Sequence, residues 1–347
     1  MANGLDLKIA IVMPAATSRR TGNRRTAARY AAFLRADGHS VRVGERWDGR
    51  PADVLIALHA RKSYESIVRY RAAHPHGALV LVLTGTDLYR DIRSDRDARS
   101  ALDLADRLVV LQDMGVAELP ARVRPRTRVV YQSTPAPRGA AKPKDRFRVA
   151  VIGHLRDEKD PFRAALALAH VSPDVAVEVV HIGDALDPAM AGEAHRLTGV
   201  DGRYRWLGGA PHARTLRWLA SSHALVLASK MEGGANVICE AARAGVPVIA
   251  SRVPGNVGML GRDYPGYFPL GNERALARLI VRAARDTAFR HDLERRIRQR
   301  ARLFTPESEH RGIARVVAEA VRRHGRPLEQ PALRVAPRVD ERFHGPE

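Results

Sequence analysis

Through most of the chain, short runs rich in β-branched residues alternate with longer amphipathic stretches of helical length. The first run, Leu7 to Met13, precedes a helical stretch from Asn23 to Ala36. Parallel strands need a long connection between them, usually a helix, so the alternation predicts an α/β fold built from parallel βαβ units. The other strands predicted in the first half are Ser40 to Gly44, Val54 to Leu58, Leu79 to Leu83, Leu108 to Leu111 and Arg128 to Tyr131.

A proline-rich and basic segment, residues 133–145, interrupts this pattern, and the pattern then starts again. The chain therefore predicts two doubly wound domains that face a shared cleft, where ligands of open α/β sheets bind. An Arg-rich helical region from Glu273 to about Leu303 closes the second half. The predicted units are a Rossmann-like domain over 1–135, a linker over 136–146, a second Rossmann-like domain over 147–305, a return helix over 306–325 and a disordered tail over 326–347.

The chain is strongly basic, with 58 Lys and Arg against 38 Asp and Glu and a formal net charge of +20. Only six of the basic residues are lysine, and the arginines are spread among many alanines, which favours a coding bias over one functional surface. Part of the excess could serve an anionic small substrate. An Arg-rich nucleic-acid-binding protein remains an alternative, although aromatic residues are only 5% and are not interleaved with the basic ones.

Cellular location follows from cysteine content and apolar run length. The single cysteine, Cys239, cannot form an intramolecular disulfide or a thiolate metal site, so a reducing compartment is expected. The apolar stretch from Ala78 to Leu83 is strand-sized, and Leu5 to Val12 is too short for a secretory signal. We therefore expect a cytoplasmic protein with no membrane partner; the sequence leaves the oligomeric state open.

Several familiar site motifs are missing. The chain has no G-x-G-x-x-G after a strand, no G-x-x-x-x-G-K-[ST] and no H-E-x-x-H. The triplet Asp95-Arg96-Asp97 has the spacing of a metal-binding D-x-D, but its charged surroundings favour a solvated helix face. We therefore expect no bound metal and no cofactor.

The most informative stretch is ASKMEGGANVICEAARAGVPVIASRVPGN, which starts at Ala228. A predicted strand ends there, a glycine-bearing loop follows, and a helix opens near Asn236, so unpaired amides and the positive end of the helix face the cleft. A phosphate would bind at such a place. Glu240 lies one turn into the helix, where a carboxylate can accept hydrogen bonds from a vicinal diol such as a ribose.

This stretch resembles the donor-binding segment of GT-B glycosyltransferases, in particular the mostly retaining family that includes sucrose-phosphate and glycogen synthases. The resemblance implies a GT-B fold, with Glu232 as a catalytic residue beside the donor sugar and Glu240 on the ribose. It also implies that the loop amides contact the sugar and the diphosphate. Those donor-binding positions are Gly233, Gly234, Ala235, Asn236 and Val237.

A second match is VIGHLRDEK, which begins the carboxyl-terminal half and contains Gly153. The family usually has an Arg and a Lys here that clamp the diphosphate, and Lys159 fits the second position. His154 stands where the Arg is expected, and Arg156 could supply the missing guanidinium. The resemblance thus implies that Gly153, Arg156 and Lys159 bind the donor, the latter two as catalytic residues.

In the amino-terminal half, the loop after the first strand carries a glycine and four arginines just before a helix, which indicates either an anion site or a flexible basic loop. His59 ends a strand where the family often has a catalytic histidine, although a lone histidine is more often structural. A second family histidine is missing from the segment LTGTDLYR. The predicted acceptor-binding residues are Arg19, Arg20, Gly22, Asn23, Arg24, Lys62, Thr84, Thr86 and Asp87, and Arg25 is a further available cation.

From Lys8 to about Arg323 the chain resembles the selenosugar synthases of selenoneine biosynthesis. The phrases that carry this resemblance include GNRRTAARYAAFLRADGHSVRV, VLTGTDLYRDI, GHLRDEKDPFRAALAL and SKMEGGANV. It implies transfer of a hexose from a UDP-sugar, UDP-GlcNAc or UDP-glucose, to selenophosphate with formation of a C–Se bond. A GT-B enzyme with an ordinary hydroxyl acceptor, a sugar or a lipid, remains the alternative.

Overall fold

The computed structural model describes residues 6–14 and 22–324, and these form two parallel-sheet α/β domains. The first sheet has the strand order β2-β1-β3-β4-β5-β6, and all of its pairings are parallel. Its elements are β1 (Lys8–Val12), α1 (Gly22–Ala36), β2 (Ser40–Gly44), β3 (Val54–Leu58), α2 (Tyr64–Ala73), β4 (Ala78–Val82), α3 (Ile92–Ser94), α4 (Arg96–Leu104), β5 (Arg107–Val110), α5 (Gly115–Glu118) and β6 (Thr127–Val129).

The second sheet has the order β12-β11-β10-β7-β8-β9 and is also entirely parallel. In both sheets the direction of winding reverses beside the first strand of the domain, and such switch points open a crevice for ligands. The elements from residue 147 onward are β7 (Phe147–Ile152), α6 (Arg163–Leu168), β8 (Val177–Ile182), α7 (Pro188–Val200), β9 (Tyr204–Trp206), α8 (His212–Ala220), β10 (Ala224–Leu227), α9 (Asn236–Ala244), β11 (Val248–Ser251), α10 (Pro254–Leu260), β12 (Tyr267–Phe268), α11 (Glu273–Arg285), α12 (Thr287–Ala301) and α13 (Pro306–Arg322).

The central strands are apolar along their whole length because helices cover both faces of each sheet. Every residue of β3 is buried. Ile56 packs in the core beneath α1, whereas its neighbour Leu55 packs on the opposite face with Ile67 of α2. A continuous apolar run is what a strand buried on both faces requires.

The last helix, α13, returns to the first domain. Its Ile313, Val317 and Val321 pack in the same core as Tyr30 and Leu34 of α1. The chain therefore crosses between the domains twice, once after β6 and once before α13. The 326–347 tail predicted from the sequence lies outside the described residues.

The predicted helical region from Glu273 to Leu303 is interrupted. It consists of α11 and α12, and the break lies at Asp286, whose carboxylate accepts a hydrogen bond from the Phe289 amide at 2.9 Å. This contact is an N-cap, which starts a new helix and ends the previous one. Asp95 likewise caps α4 by accepting from the Ala98 amide at 2.8 Å.

Many arginines form ion pairs on the protein surface. Arg122 pairs with Asp103 at 3.0 Å, and Arg196 pairs with Glu193 at 2.6 Å. Exposed pairs of this kind contribute little to stability. Across the described ranges, no helix is both long and apolar enough to cross a bilayer, and no group of three or more His, Cys, Asp or Glu side chains could hold a metal ion.

Candidate active site

A cleft of about 620 Å³ lies between the two domains, at the carboxyl ends of both sheets. Loops after strands of both domains line it, as the doubly wound topology requires. From the first domain it brings together the predicted residues Gly22, Asn23, His59, Lys62, Thr84 and Thr86, and from the second Gly153, Arg156, Lys159, Glu232, Gly233, Gly234, Ala235, Asn236, Val237 and Glu240.

Lys159 and Glu232 form an ion pair in the floor of the cleft. Lys159 Nζ donates to Glu232 Oε1 at 2.5 Å, and Ser229 Oγ donates to the same oxygen at 2.6 Å. The side chain of Glu232 is only 7% exposed and that of Lys159 is 22% exposed. Lys159 closes a single 3₁₀ turn after β7, and Glu232 lies in the loop between β10 and α9. Two loops of one sheet thus place a cation and a carboxylate side by side.

The glycine loop is tightly enclosed. A Cβ at Gly233 would lie 2.3 Å from the carbonyl oxygen of Thr84, which belongs to the other domain. A Cβ at Gly255 would lie 1.8 Å from the carbonyl oxygen of Glu232. Glycine is therefore required at both positions by close backbone approach, and the loop before α9 is held between the loop after β4 of the first domain and α10 of the second.

Glu240 lies on α9 at the far side of the cleft, and its side chain is 6% exposed. Its Oε1 accepts from His212 Nε2 at 2.8 Å and from Arg25 Nη1 at 3.2 Å. His212 begins α8 of the same domain, whereas Arg25 comes from α1 of the first domain. An ion pair thus spans the cleft at the position predicted to hold a ribose.

His59 has an unusual backbone conformation, with φ of 75°. Its Nε2 lies 3.1 Å from Thr86 Oγ1, and its Nδ1 accepts a longer contact of 3.4 Å from the Lys62 amide. Burial lowers the pKa of His59 below its usual value, which favours the neutral imidazole at pH 7. Left-handed strain in a residue other than glycine is frequent at functional sites.

Asp87 does not line the cleft, contrary to its predicted place among the acceptor-binding residues. It is fully buried, and its carboxylate accepts from the backbone amides of Ala60, Thr84 and Gly85 at 2.9 to 3.0 Å. It therefore fixes the loops after β3 and β4 to each other. Arg24 is exposed and is not among the residues that line the cleft either.

Two other predicted acceptor residues, Arg19 and Arg20, lie outside the described residues. Their neighbour Arg25 lines the cleft, as does Arg90, which the sequence did not indicate. His212 was also missed, because nothing near it resembles a known motif and only the fold brings it to Glu240.

His154, which stands where the resemblance expects an arginine, turns toward the next strand. Its Nδ1 accepts from the Asp184 amide at 3.1 Å, and it lies 3.5 Å from the Asp184 carboxylate. His154 therefore links the loops after β7 and β8. Arg156, two residues on, is exposed and lines the cleft.

His181, on β8, contacts the backbone of Gly153. Its Nε2 lies 3.3 Å from the Gly153 carbonyl, and its Nδ1 lies 2.9 Å from the Tyr204 hydroxyl. The carbonyl can only accept, so the neutral ring carries its proton on Nε2. Complete burial lowers the pKa of His181 to about 4, and the bond to Gly153 offsets only part of this.

We expect acid to destabilise the second domain through His181. The unfolded histidine binds a proton below about pH 6.5, whereas the folded one binds it only near pH 4. The unfolded state thus holds more protons in this window, and this group alone should remove about 3 kcal/mol of stability between pH 6.5 and 4. Urea titrations of the wild type and of His181→Gln should show a shallower pH dependence in the variant; equal slopes would contradict the assignment.

Residues 133–302, close to half of the chain, match the family model of glycosyl transferases group 1. A curated relative is glycosyltransferase 1 domain-containing protein 1 of Xenopus tropicalis, 27% identical over 282 residues, which are 71% of this chain and 79% of that protein.

Similar solved structures cover nearly the whole chain. HepE of Anabaena in complex with UDP and glucose gives a TM-score of 0.71 at 17% identity, over 90% of this chain and 99% of that one. Sucrose-phosphate synthase from Thermosynechococcus elongatus gives 0.73 at 17% identity, over 90% and 98%. At such identities the likeness shows the fold, and the family model covers the domain that contains Lys159, Glu232 and Glu240. Residues 133–302 are therefore similar to the group 1 glycosyl transferases, and the chain has the GT-B fold.

Proposed function

We propose that the protein transfers a hexose from a UDP-sugar to selenophosphate. The observation that supports a nucleotide-sugar donor most directly is the convergence of Lys159, Glu232, Glu240 and the amino-terminal end of α9 in one cleft. The HepE structures, which contain UDP, UDP-glucose or UDP with glucose, give a precedent in the same fold.

The second domain offers a complementary group for each part of such a donor. Lys159, Arg156 and the amides that open α9 can neutralise the departing diphosphate, so the proposed reaction needs no metal or cofactor. Glu240 can accept hydrogen bonds from the ribose diol. Glu232, one residue before the loop amides, would then lie beside the anomeric carbon of the donor.

The opposite wall suits an anionic acceptor. Lys62 and Arg90 line it together with His59, and both basic side chains are exposed to the cleft. Selenium in selenophosphate is already a strong nucleophile, so attack at the anomeric carbon needs no strong base. In the transfer, the bond from the anomeric carbon to the diphosphate oxygen breaks, a C–Se bond forms, and UDP leaves with the bonding electrons.

A hydroxyl acceptor, a sugar or a lipid, is the second candidate, and the state of His59 favours it. The neutral imidazole lines the cleft and could accept the proton that a hydroxyl must lose, once Nδ1 gives up its long contact with the Lys62 amide. The two candidates therefore differ in whether His59 acts as a base or only shapes the wall.

The test is to incubate the protein with selenophosphate and either UDP-GlcNAc or UDP-glucose, and to follow the products by mass spectrometry. A sugar product with the isotope pattern of selenium, together with released UDP, is expected. If UDP is released only when a sugar or lipid alcohol is added, the acceptor is a hydroxyl group and not selenophosphate. Absence of UDP release under all of these conditions would overturn the UDP-sugar assignment.

Glu240→Ala should weaken UDP binding about 10- to 100-fold, because hydrogen bonds to a charged group contribute roughly 1.5 to 3 kcal/mol. Turnover at saturating donor should change much less. Calorimetric titration with UDP measures the first effect, with Arg122→Ala as a control outside the cleft. If Glu240→Ala binds UDP as tightly as the wild type does, Glu240 does not bind the ribose.

A further inference from the structure

Two helices face each other across the cleft through a ladder of side chains. Arg25 and Arg29 lie one turn apart on α1, and Asn236 and Glu240 lie one turn apart on α9. Arg25 Nη1 lies 3.2 Å from Glu240 Oε1, and Arg29 Nη1 lies 3.4 Å from Asn236 Oδ1. The first and second domains are thus joined at the mouth of the proposed ribose site.

The two arginines are held very differently. Arg29 also donates from Nε and Nη2 to the two oxygens of Glu309, at 2.7 and 2.9 Å, and the Glu309 side chain is fully buried. Arg25 makes a single contact with Glu240 through one nitrogen, and its side chain is 39% exposed. The Arg25 pair can therefore break while Arg29 stays in place.

One carboxylate oxygen of Glu240 already has two donors from the protein itself. Oε1 accepts from Arg25 and from His212, which accounts for both lone pairs of that atom. A ribose diol bound to this oxygen would displace one of them. His212 is closer, at 2.8 Å, and belongs to the same domain as Glu240, whereas Arg25 is more distant and comes from the other domain.

We propose that Arg25 alternates between two partners. Before the donor binds, Arg25 pairs with Glu240, and when the ribose of the donor takes Glu240, it turns to an anion on the acceptor side of the cleft. Asn23 and Lys62 line the same cavity as Arg25 on the side of the first domain. This inference rests on the proposed UDP-sugar donor and adds an order of binding: the donor enters first and releases the cation that holds the acceptor.

The experiment compares Arg25→Ala with the wild type by calorimetry, with Arg122→Ala, which removes a surface ion pair, as the matched control. UDP should bind Arg25→Ala about two- to fivefold more tightly, because a competitor for Glu240 is gone and partly exposed ion pairs have equilibrium constants of this size. In a Glu240→Gln background, Arg25→Ala should leave UDP affinity unchanged, because a neutral amide at that position forms no ion pair with Arg25.

A second titration tests the other partner of Arg25. Inorganic phosphate, added to enzyme saturated with UDP, should bind Arg25→Ala about tenfold more weakly than the wild type, since loss of a charge-assisted contact has an effect of this order. Phosphate should also bind the wild type more tightly with UDP than without it, because bound UDP releases Arg25 from Glu240. The coupling between the two sites is reciprocal.

Each contrary outcome has a distinct meaning. Weaker UDP binding by Arg25→Ala would make this residue a ligand of the donor and overturn the alternation. Unchanged UDP affinity, or unchanged phosphate affinity in the UDP complex, would overturn it as well. A wild type that binds no UDP would instead overturn the proposed function from which the inference starts.

Discussion

Replacing Lys159 by alanine should lower kcat about 10²- to 10³-fold, the range found when a charge-stabilising donor is removed from an active site. The reason is local geometry. Lys159 Nζ lies 2.5 Å from Glu232 Oε1 and is only 22% exposed, so its charge acts where little water can replace it. The diphosphate that leaves the sugar would lose this cation, and Glu232 would lose its counterion. The donor KM should rise less than kcat falls, because Arg156 and the α9 amides remain.

The matched control is Lys230→Ala. Lys230 lies two residues before Glu232 and also pairs with a carboxylate, that of Asp157, at 2.6 Å. This pair is on the surface, with side chains 44% and 80% exposed, so its removal should leave steady-state kinetics within about twofold of the wild type. Lys159→Arg should recover part of the lost turnover. A kcat for Lys159→Ala within about threefold of the wild-type value would show that Lys159 does not contribute to the chemical step.

Glu309→Ala should lower the free energy of unfolding by about 3 to 5 kcal/mol, the usual result of breaking a buried ion pair. Glu309 accepts from Nε and Nη2 of Arg29 and from the amide and hydroxyl of Ser133, at 2.5 to 3.0 Å. Burial works against the charge of Arg29, but the charge and hydrogen bonds of Glu309 outweigh it and raise the pKa of Arg29. Without Glu309, four donors lose their acceptor.

Urea unfolding measures this effect, and two further variants locate its cause. Glu309→Gln keeps an acceptor for Ser133 but cannot balance the charge of Arg29, so it should be destabilised less than Glu309→Ala. Glu193→Ala removes an exposed pair with Arg196 and should change stability by less than about 0.5 kcal/mol. Equal stability of Glu309→Ala and Glu193→Ala would show that the buried network contributes nothing.

The sequence predicted most of the strands because their signal is contained in a few adjacent residues. Val54–Leu58 is apolar at every position and buried at every position. Observed bounds differ from predicted ones by a residue or two where strands end in loops; the strand predicted at Arg128 to Tyr131, for example, is Thr127–Val129. The order of strands in each sheet depends on contacts between distant segments, so it could not be predicted from a few adjacent residues.

The same distinction applies to the candidate site. Glu232 and Glu240 were indicated because one loop and the helix after it carry both, at a fixed spacing. His212 begins α8 and Arg90 follows β4, and only folding brings His212 to Glu240 and Arg90 to the cleft. Asp87 was misplaced for a related reason: its position in a strand-end loop was correct, but three nearby amides take its carboxylate into the interior.

The return of α13 to the first domain has a consequence for synthesis on the ribosome. Until residues 306–322 have emerged, one face of the first sheet lacks Ile313, Val317 and Val321. The second domain, which is contiguous in sequence, can bury its own core before that point. The domain that is translated first should therefore be the one that finishes folding last, because an apolar face of its sheet stays uncovered until α13 has been synthesised.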